Sequence, residues 1–154
     1  MPKHKTLEEA YDSCMVDGFV HEKKEVNSNK ARSLLVNAET SISSAQILKK
    51  AIKKEAREWM SVYVHYYEAL RLMTEALLIF DTIQSANHQC LFACLCMKHS
   101  ELELDWNFFE KIRTKRNGAH YYGEAITYED YKTITVQIEI YISTLRKAVE
   151  ERLD

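Results

Sequence analysis

Apolar positions along this chain fall mostly at the three-and-four spacing of a helix face. Between residues 29 and 54 the stripe runs Ala31, Leu34, Leu35, Ala38, Ile42, Ala45, Leu48 and Ile52, and Asn27 and Ser28 offer an N-cap. That pattern predicts a long amphipathic helix, ending at a sharp bend near Lys54 to Arg57. Residues 57–80 are apolar on two sides: Trp59, Met60, Tyr63, Tyr66, Tyr67, Leu70, Met73, Leu77 and Phe80 form one stripe, with Val62, Ala69, Leu72 and Ala76 beside it. A helix apolar on two faces is buried on two faces. It is either the central helix of a bundle or the seat of a second copy of the chain, and His65 within it reads as a partly buried, hydrogen-bonded imidazole.

A third helix is expected from Ala86 to about Lys98, capped by Ser85, and a fourth from Trp106, capped by Asp105. In the fourth, Trp106, Phe109 and Ile112 share a side that Arg113 and Arg116 continue. Gly118 is placed to end that helix in a left-handed C-cap, with the cations ahead of it complementing the helix dipole. Thr127 and Asp130 open a last helix over about 128–152, with a stripe of Tyr131, Ile134, Ile138, Tyr141, Ile142, Leu145, Ala148 and Val149. Before all of these, Thr6 and Glu9 have the form of a capping box for a short helix over 7–15, closed by Asp17 and Gly18. Phe19 to Val26 reads as a connector held by Phe19 and Val20. The expected fold is all-α: an up-and-down bundle of four long helices with one or two short ones. A short helix and connector occupy 1–27 and the bundle occupies 28–154, in a single domain.

Composition agrees with this picture and narrows the chemistry. Three Gly and one Pro in 154 residues leave little material for hairpins. The net charge is −2, yet Lys111, Arg113, Lys115 and Arg116 put four positive charges into six residues, so the rest of the chain carries −6. A polyanion would therefore be met locally and in a salt-sensitive way. The opening residues Met1 to Lys5 are too polar for a signal peptide and no apolar run reaches the length of a membrane span, so a cytoplasmic protein is expected. Of the cysteines Cys14, Cys90, Cys94 and Cys96, three lie within seven residues of an apolar helical run. They read as buried thiols in a reducing compartment. With Cys90 and Cys94 on one face, Cys96 on another and no Cys-x-x-Cys pair, a zinc site is not expected, even if His88 or His99 were recruited. No metal or cofactor is expected.

The stretch from Lys111 to Gly123 differs from the helices on either side of it. Cations are followed by Asn117, Gly118, a histidine and two tyrosines, which joins a phosphate clamp to a proton carrier. Cleaving RNA requires a group that titrates near neutrality to take the 2′-hydroxyl proton and a cation to hold the phosphate as its charge develops. His120 suits the first task and Arg113 or Arg116 the second. Lys115, Asn117, Tyr121 and Tyr122 are candidate binding residues. Because one histidine cannot readily act as base and acid in the same step, a two-fold dimer would supply the second. A solvated, capped helix end accounts for the same composition without any site.

The long first helix, Tyr66, Tyr67, Glu68, Ala69 and Leu70 in the second, Ser85 and His88 opening the third, and late Arg, Asn, His and Tyr before a last long helix resemble a HEPN domain, over roughly residues 28–150. The family pattern is Arg, four to six residues, then His, often with a polar residue after the Arg and sometimes a Tyr two after the His. Arg113 and His120 satisfy the spacer, Arg116 and Asn117 match the polar neighbour, and Lys115 stands at the four-residue spacing. The resemblance implies three possible roles. One is a metal-independent endoribonuclease, commonly a dimeric toxin leaving a cyclic phosphate. Another is the partner of a minimal nucleotidyltransferase antitoxin that adds AMP to the tyrosine of His-x-Tyr, here Tyr122. The third is a non-catalytic module binding a nucleotide or that partner.

Overall fold

Side-chain caps set most of the helix starts. A computed structural model describes residues 4–154, and the polar opening Met1 to Lys3, read above against a leader, lies outside them. Six α-helices follow in order: α1 (Leu7–Val16), α2 (Ser28–Ala51), α3 (Trp59–Ile79), α4 (His88–Lys98), α5 (Trp106–Tyr122) and α6 (Tyr128–Leu153). The Thr6 hydroxyl receives the Glu9 N–H, Asn27 Oδ1 that of Lys30, and Asp105 Oδ1 that of Asn107. Thr127 and Asp130 form a complete capping box at the head of α6. The four long helices and two short ones form the expected all-α bundle.

α3 is the axis of that bundle. It packs against α2, α4, α5 and α6, and thirteen of its residues are buried. Tyr63, Tyr67, Leu70, Met73 and Leu77 lie in its core, and burying an apolar side chain of that size contributes about 1.5–3 kcal/mol. Other helices of the same chain thus cover both of its apolar faces, and the second face is no longer an argument for a dimer. Phe92 of α4 stacks on Phe109 of α5 with ring centroids 4.7 Å apart, and Trp59 stacks on Tyr131 of α6 at 5.2 Å.

Several local expectations are corrected. The stretch read as a plain connector holds a two-residue strand, β1 (His21–Glu22), paired antiparallel with β2 (Ile83–Gln84). Val20 packs beneath it, whereas Phe19 is largely exposed. Asn87, not Ser85, caps α4, because the Ser85 hydroxyl donates instead to the Phe19 carbonyl at 2.7 Å. His65 is half-buried, but its imidazole has no hydrogen-bond partner among the described residues. His99, at the C-terminal end of α4, is buried, 2.5 Å from Asp81 Oδ2 and 3.1 Å from Glu101 Oε1.

The thiol reading fails for two of the four cysteines. Cys14 and Cys90 form a disulfide that joins α1 to α4 across 76 residues of sequence. Cys94 and Cys96 remain free and buried, and burial raises both thiols, Cys96 to about 12. No helix among the described residues is long and apolar enough to cross a membrane.

Candidate functional site

α5 does not end where its glycine suggested. Gly118 is helical and buried, and the helix runs on to Tyr122, where Gly123 at φ +67° provides the left-handed cap. The chain then turns back so closely that the Glu124 N–H bonds to the Gly118 carbonyl at 3.2 Å. A continuous helix turns about 100° per residue, so Arg113, Arg116, Asn117 and His120 share one face within about a quarter turn of one another. Lys115 points the other way. It pairs with Asp130 Oδ2 of the α6 cap at 3.3 Å, beside a separate cavity that also takes in Tyr63 and Thr133.

The arginine face looks into an open cavity of about 400 Å³ between the last turns of α5 and the first turn of α4. Arg113, Arg116, Asn117 and Tyr121 line it from α5, while Ala86, Asn87, His88 and Gln89 line it from the head of α4. His120 and Tyr122 do not line it. Both are exposed on the adjoining end of α5, Tyr122 to 80%. The structure therefore gathers Arg113, Arg116, Asn117 and Tyr121, leaves His120 and Tyr122 open to solvent next to them, and separates Lys115.

The two arginines are held differently. The Arg113 guanidinium donates from Nε and Nη2 to the two carboxylate oxygens of Glu110 at 2.9 and 3.0 Å, and Gln89 Nε2 donates to the same carboxylate at 3.0 Å. Glu110 is buried, so Arg113 neutralises a carboxylate as well as facing the cavity. Arg116 has no carboxylate partner within ion-pair distance among the described residues. Its Nη1 donates to Asn117 Oδ1 at 3.1 Å, its guanidinium lies 5.5 Å from the centre of the Tyr67 ring, and its buried Nε has no hydrogen-bond partner among the described residues. Arg116 thus brings to the cavity a positive charge that no carboxylate among the described residues pairs with directly, the nearby Glu68 being bound to Arg71.

His88 shares the cavity. Its Nδ1 lies 2.9 Å from the hydroxyl of fully buried Tyr67. Burial, followed by the nearby charges of Arg71 and Arg116, pushes its imidazole down to about 4, so it is neutral at physiological pH. Burial also raises the Tyr67 hydroxyl. Behind them Arg71 is bound by Glu68 and by Glu75. In the sequence His88 had appeared as the opening of the third helix and as a metal ligand that was not expected, and Tyr67 as part of the apolar stripe of α3, neither as a site residue. Gln89 and Glu110 gave no signal there, because what brings all four to the site is packing among α3, α4 and α5.

Chemically, the arrangement offers one uncompensated guanidinium, one guanidinium in a neutral pair, amide donors, a neutral imidazole and the free N–H groups at the start of α4. Such a donor set matches the chemistry of an anion of low charge, and the exposed imidazole of His120 lies next to it on α5. Comparison of the chain with protein-family models, with curated proteins and with solved structures finds no match.

Proposed function

We propose that the chain is a HEPN-type, metal-independent endoribonuclease acting as a dimer, the toxin of a toxin-antitoxin pair. The observation that supports this best is the continuity of α5, which sets Arg116 in the cavity and His120 one turn beyond it on the same face. On this reading Arg116, with Arg113 beside it, holds the scissile phosphate. His120 takes the 2′-hydroxyl proton, the 2′-oxygen attacks phosphorus, the 5′-oxygen departs, and a 2′,3′-cyclic phosphate remains. Donation of a proton to that leaving oxygen falls to a second imidazole, supplied by the partner copy. Asn117 orients Arg116, and Tyr121 offers an exposed ring for stacking. Tyr122, being so open, is accessible to a nucleotidyltransferase that would silence the site. Cytoplasmic RNA is the substrate this reading names.

A non-catalytic module that binds a nucleotide is the second reading. It is favoured by one fact: the histidine that lines the cavity is held neutral, while His120 stays outside the lining. One assay separates the two. Purified protein incubated with RNA and a chelator should cleave it, and His120→Ala should abolish the cleavage; robust cleavage by that variant overturns the assignment of His120. Absence of cleavage by the wild type, combined with saturable nucleotide binding that Arg116→Ala removes, selects the second reading. Arg116 is the cation to replace, since removing Arg113 would strand the buried carboxylate of Glu110 and cost about 3 kcal/mol of stability whatever its role.

A further inference from the structure

The hydrogen-bond arrangement around Tyr67 assigns a tautomer to His88. Tyr67 is fully buried, and its hydroxyl has one hydrogen-bond partner among the described residues, His88 Nδ1 at 2.9 Å. If Nδ1 carried the proton and donated to the phenolic oxygen, the hydroxyl hydrogen would be a buried donor with no acceptor, at a cost of about 1–3 kcal/mol. The hydroxyl therefore donates to Nδ1. Since the ring is neutral, its proton resides on Nε2. That nitrogen has no protein partner among the described residues, and the ring lines the cavity that holds Arg113, Arg116 and Asn117.

We propose that His88 contacts the bound phosphodiester directly, as a neutral Nε2–H donor beside Arg116, with Tyr67 as the positioning residue that fixes its tautomer and ring orientation. The inference rests on the reading of the arginine cavity as a phosphate site and assigns His88 to recognition, not proton transfer. A neutral donor suits the charge already present. Glu110 pairs with Arg113, Arg116 has no directly paired carboxylate among the described residues, and a diester linkage carries one negative charge, so donors without added charge suit the remaining contacts. Gln89 already commits one of its two amide N–H donors to Glu110, which orients that amide toward the carboxylate.

The test is binding of a short single-stranded 2′-fluoro oligoribonucleotide, which lacks the attacking hydroxyl, measured by anisotropy at pH 7. His88→Gln keeps an N–H close to the position of Nε2 and should bind within about twofold of the wild type. His88→Leu has no donor, and His88→Asn places its amide at the Nδ1 position; each should lose about tenfold, the usual worth of a hydrogen bond to a charged group. Wild-type affinity in His88→Leu, or an equal loss in His88→Gln, overturns the role of His88. Arg116→Ala in the same assay keeps the two ideas apart. If it is impaired while His88→Leu is not, the inference alone fails. If neither is impaired, or the wild type does not bind, the phosphate-site reading fails and takes the inference with it. A measurement on the unsubstituted protein needs no variant to fold: ring nitrogen-15 shifts of His88 should show a protonated Nε2 and an unprotonated Nδ1 at pH 7, and the reverse pattern overturns the proposal.

Discussion

His88 is neutral because folding removes its water and sets cations around it. Arg71 and Glu68 face it from α3, Arg113 and Arg116 from α5, and the Tyr67 hydroxyl occupies Nδ1. The consequence for stability has a definite sign. Between about pH 6.5 and pH 4 the unfolded chain binds a proton at this histidine that the folded chain does not, so stability falls as pH is lowered through that window and is fully present above it. Urea unfolding at pH 7.5 and pH 4.5 should therefore show a smaller loss for His88→Gln than for the wild type. Equal losses would mean that the imidazole is not held neutral. Below that window other groups take over: Asp130, whose pKa is lowered by its hydrogen bonds to Thr127 and Lys115 against the opposing effect of burial, contributes stability above its unfolded value and loses it as pH falls through the folded one.

Within α5 the two glycines have opposite roles, and substitution separates them. A Cβ on Gly118 would meet the Glu124 carboxylate at 2.1 Å, but that is the far end of an exposed, flexible side chain that can swing away. Gly118→Ala should then gain most of the helix-propensity difference and stabilise the protein by about 0.5–1 kcal/mol. Gly123 sits at φ +67°, where a Cβ is strained, and Gly123→Ala should destabilise by about 1 kcal/mol. Thermal melts of the pair read the signs directly. If α5 ended at Gly118, as the sequence suggests, the first sign would be reversed and His120 would leave the arginine face. The element carrying the proposed chemistry therefore depends on four residues, Ala119 to Tyr122, continuing as helix past a glycine.

For the molecule as a whole, the Cys14–Cys90 bridge is the longest-range covalent constraint. It ties α1 to the helix whose first turn lines the cavity. Closing a loop of that length stabilises by about 4 kcal/mol on the chain-entropy account. In a reducing compartment the bridge would be open, with α1 held by Ala10, Leu7 and Tyr11 against the core and by the Trp106 indole, which donates to the Lys5 carbonyl at 3.0 Å. Dithiothreitol should lower the urea midpoint markedly in the wild type and leave Cys14→Ser, which has no bridge to lose, unaffected. An equal response in both would show that the bridge carries no stability. Cys94 and Cys96 should not react with a thiol reagent until the protein unfolds, since both are buried and have raised pKa values.

Helix existence, most helix starts and the all-α class were legible in the linear pattern because they depend on residues within one or two turns. Periodicity chooses the buried face of α2 and α6, and Asn27, Asp105 and the Thr127 and Asp130 pair satisfy N–H groups two or three residues away. The cationic cluster of α5 was visible on the same ground. Its organisation was not, because that depends on partners distant in the chain. Glu110 and Gln89 engage Arg113, Asp130 draws Lys115 to the other side, and Tyr67 of α3 meets His88 of α4 beneath Arg116. Ser85 gives up its cap to reach Phe19, 66 residues earlier, and Cys14 finds Cys90 at a separation of 76. Local spacing carries no information about such pairings; they are selected when α3 is enclosed and buried polar and cationic groups must find partners.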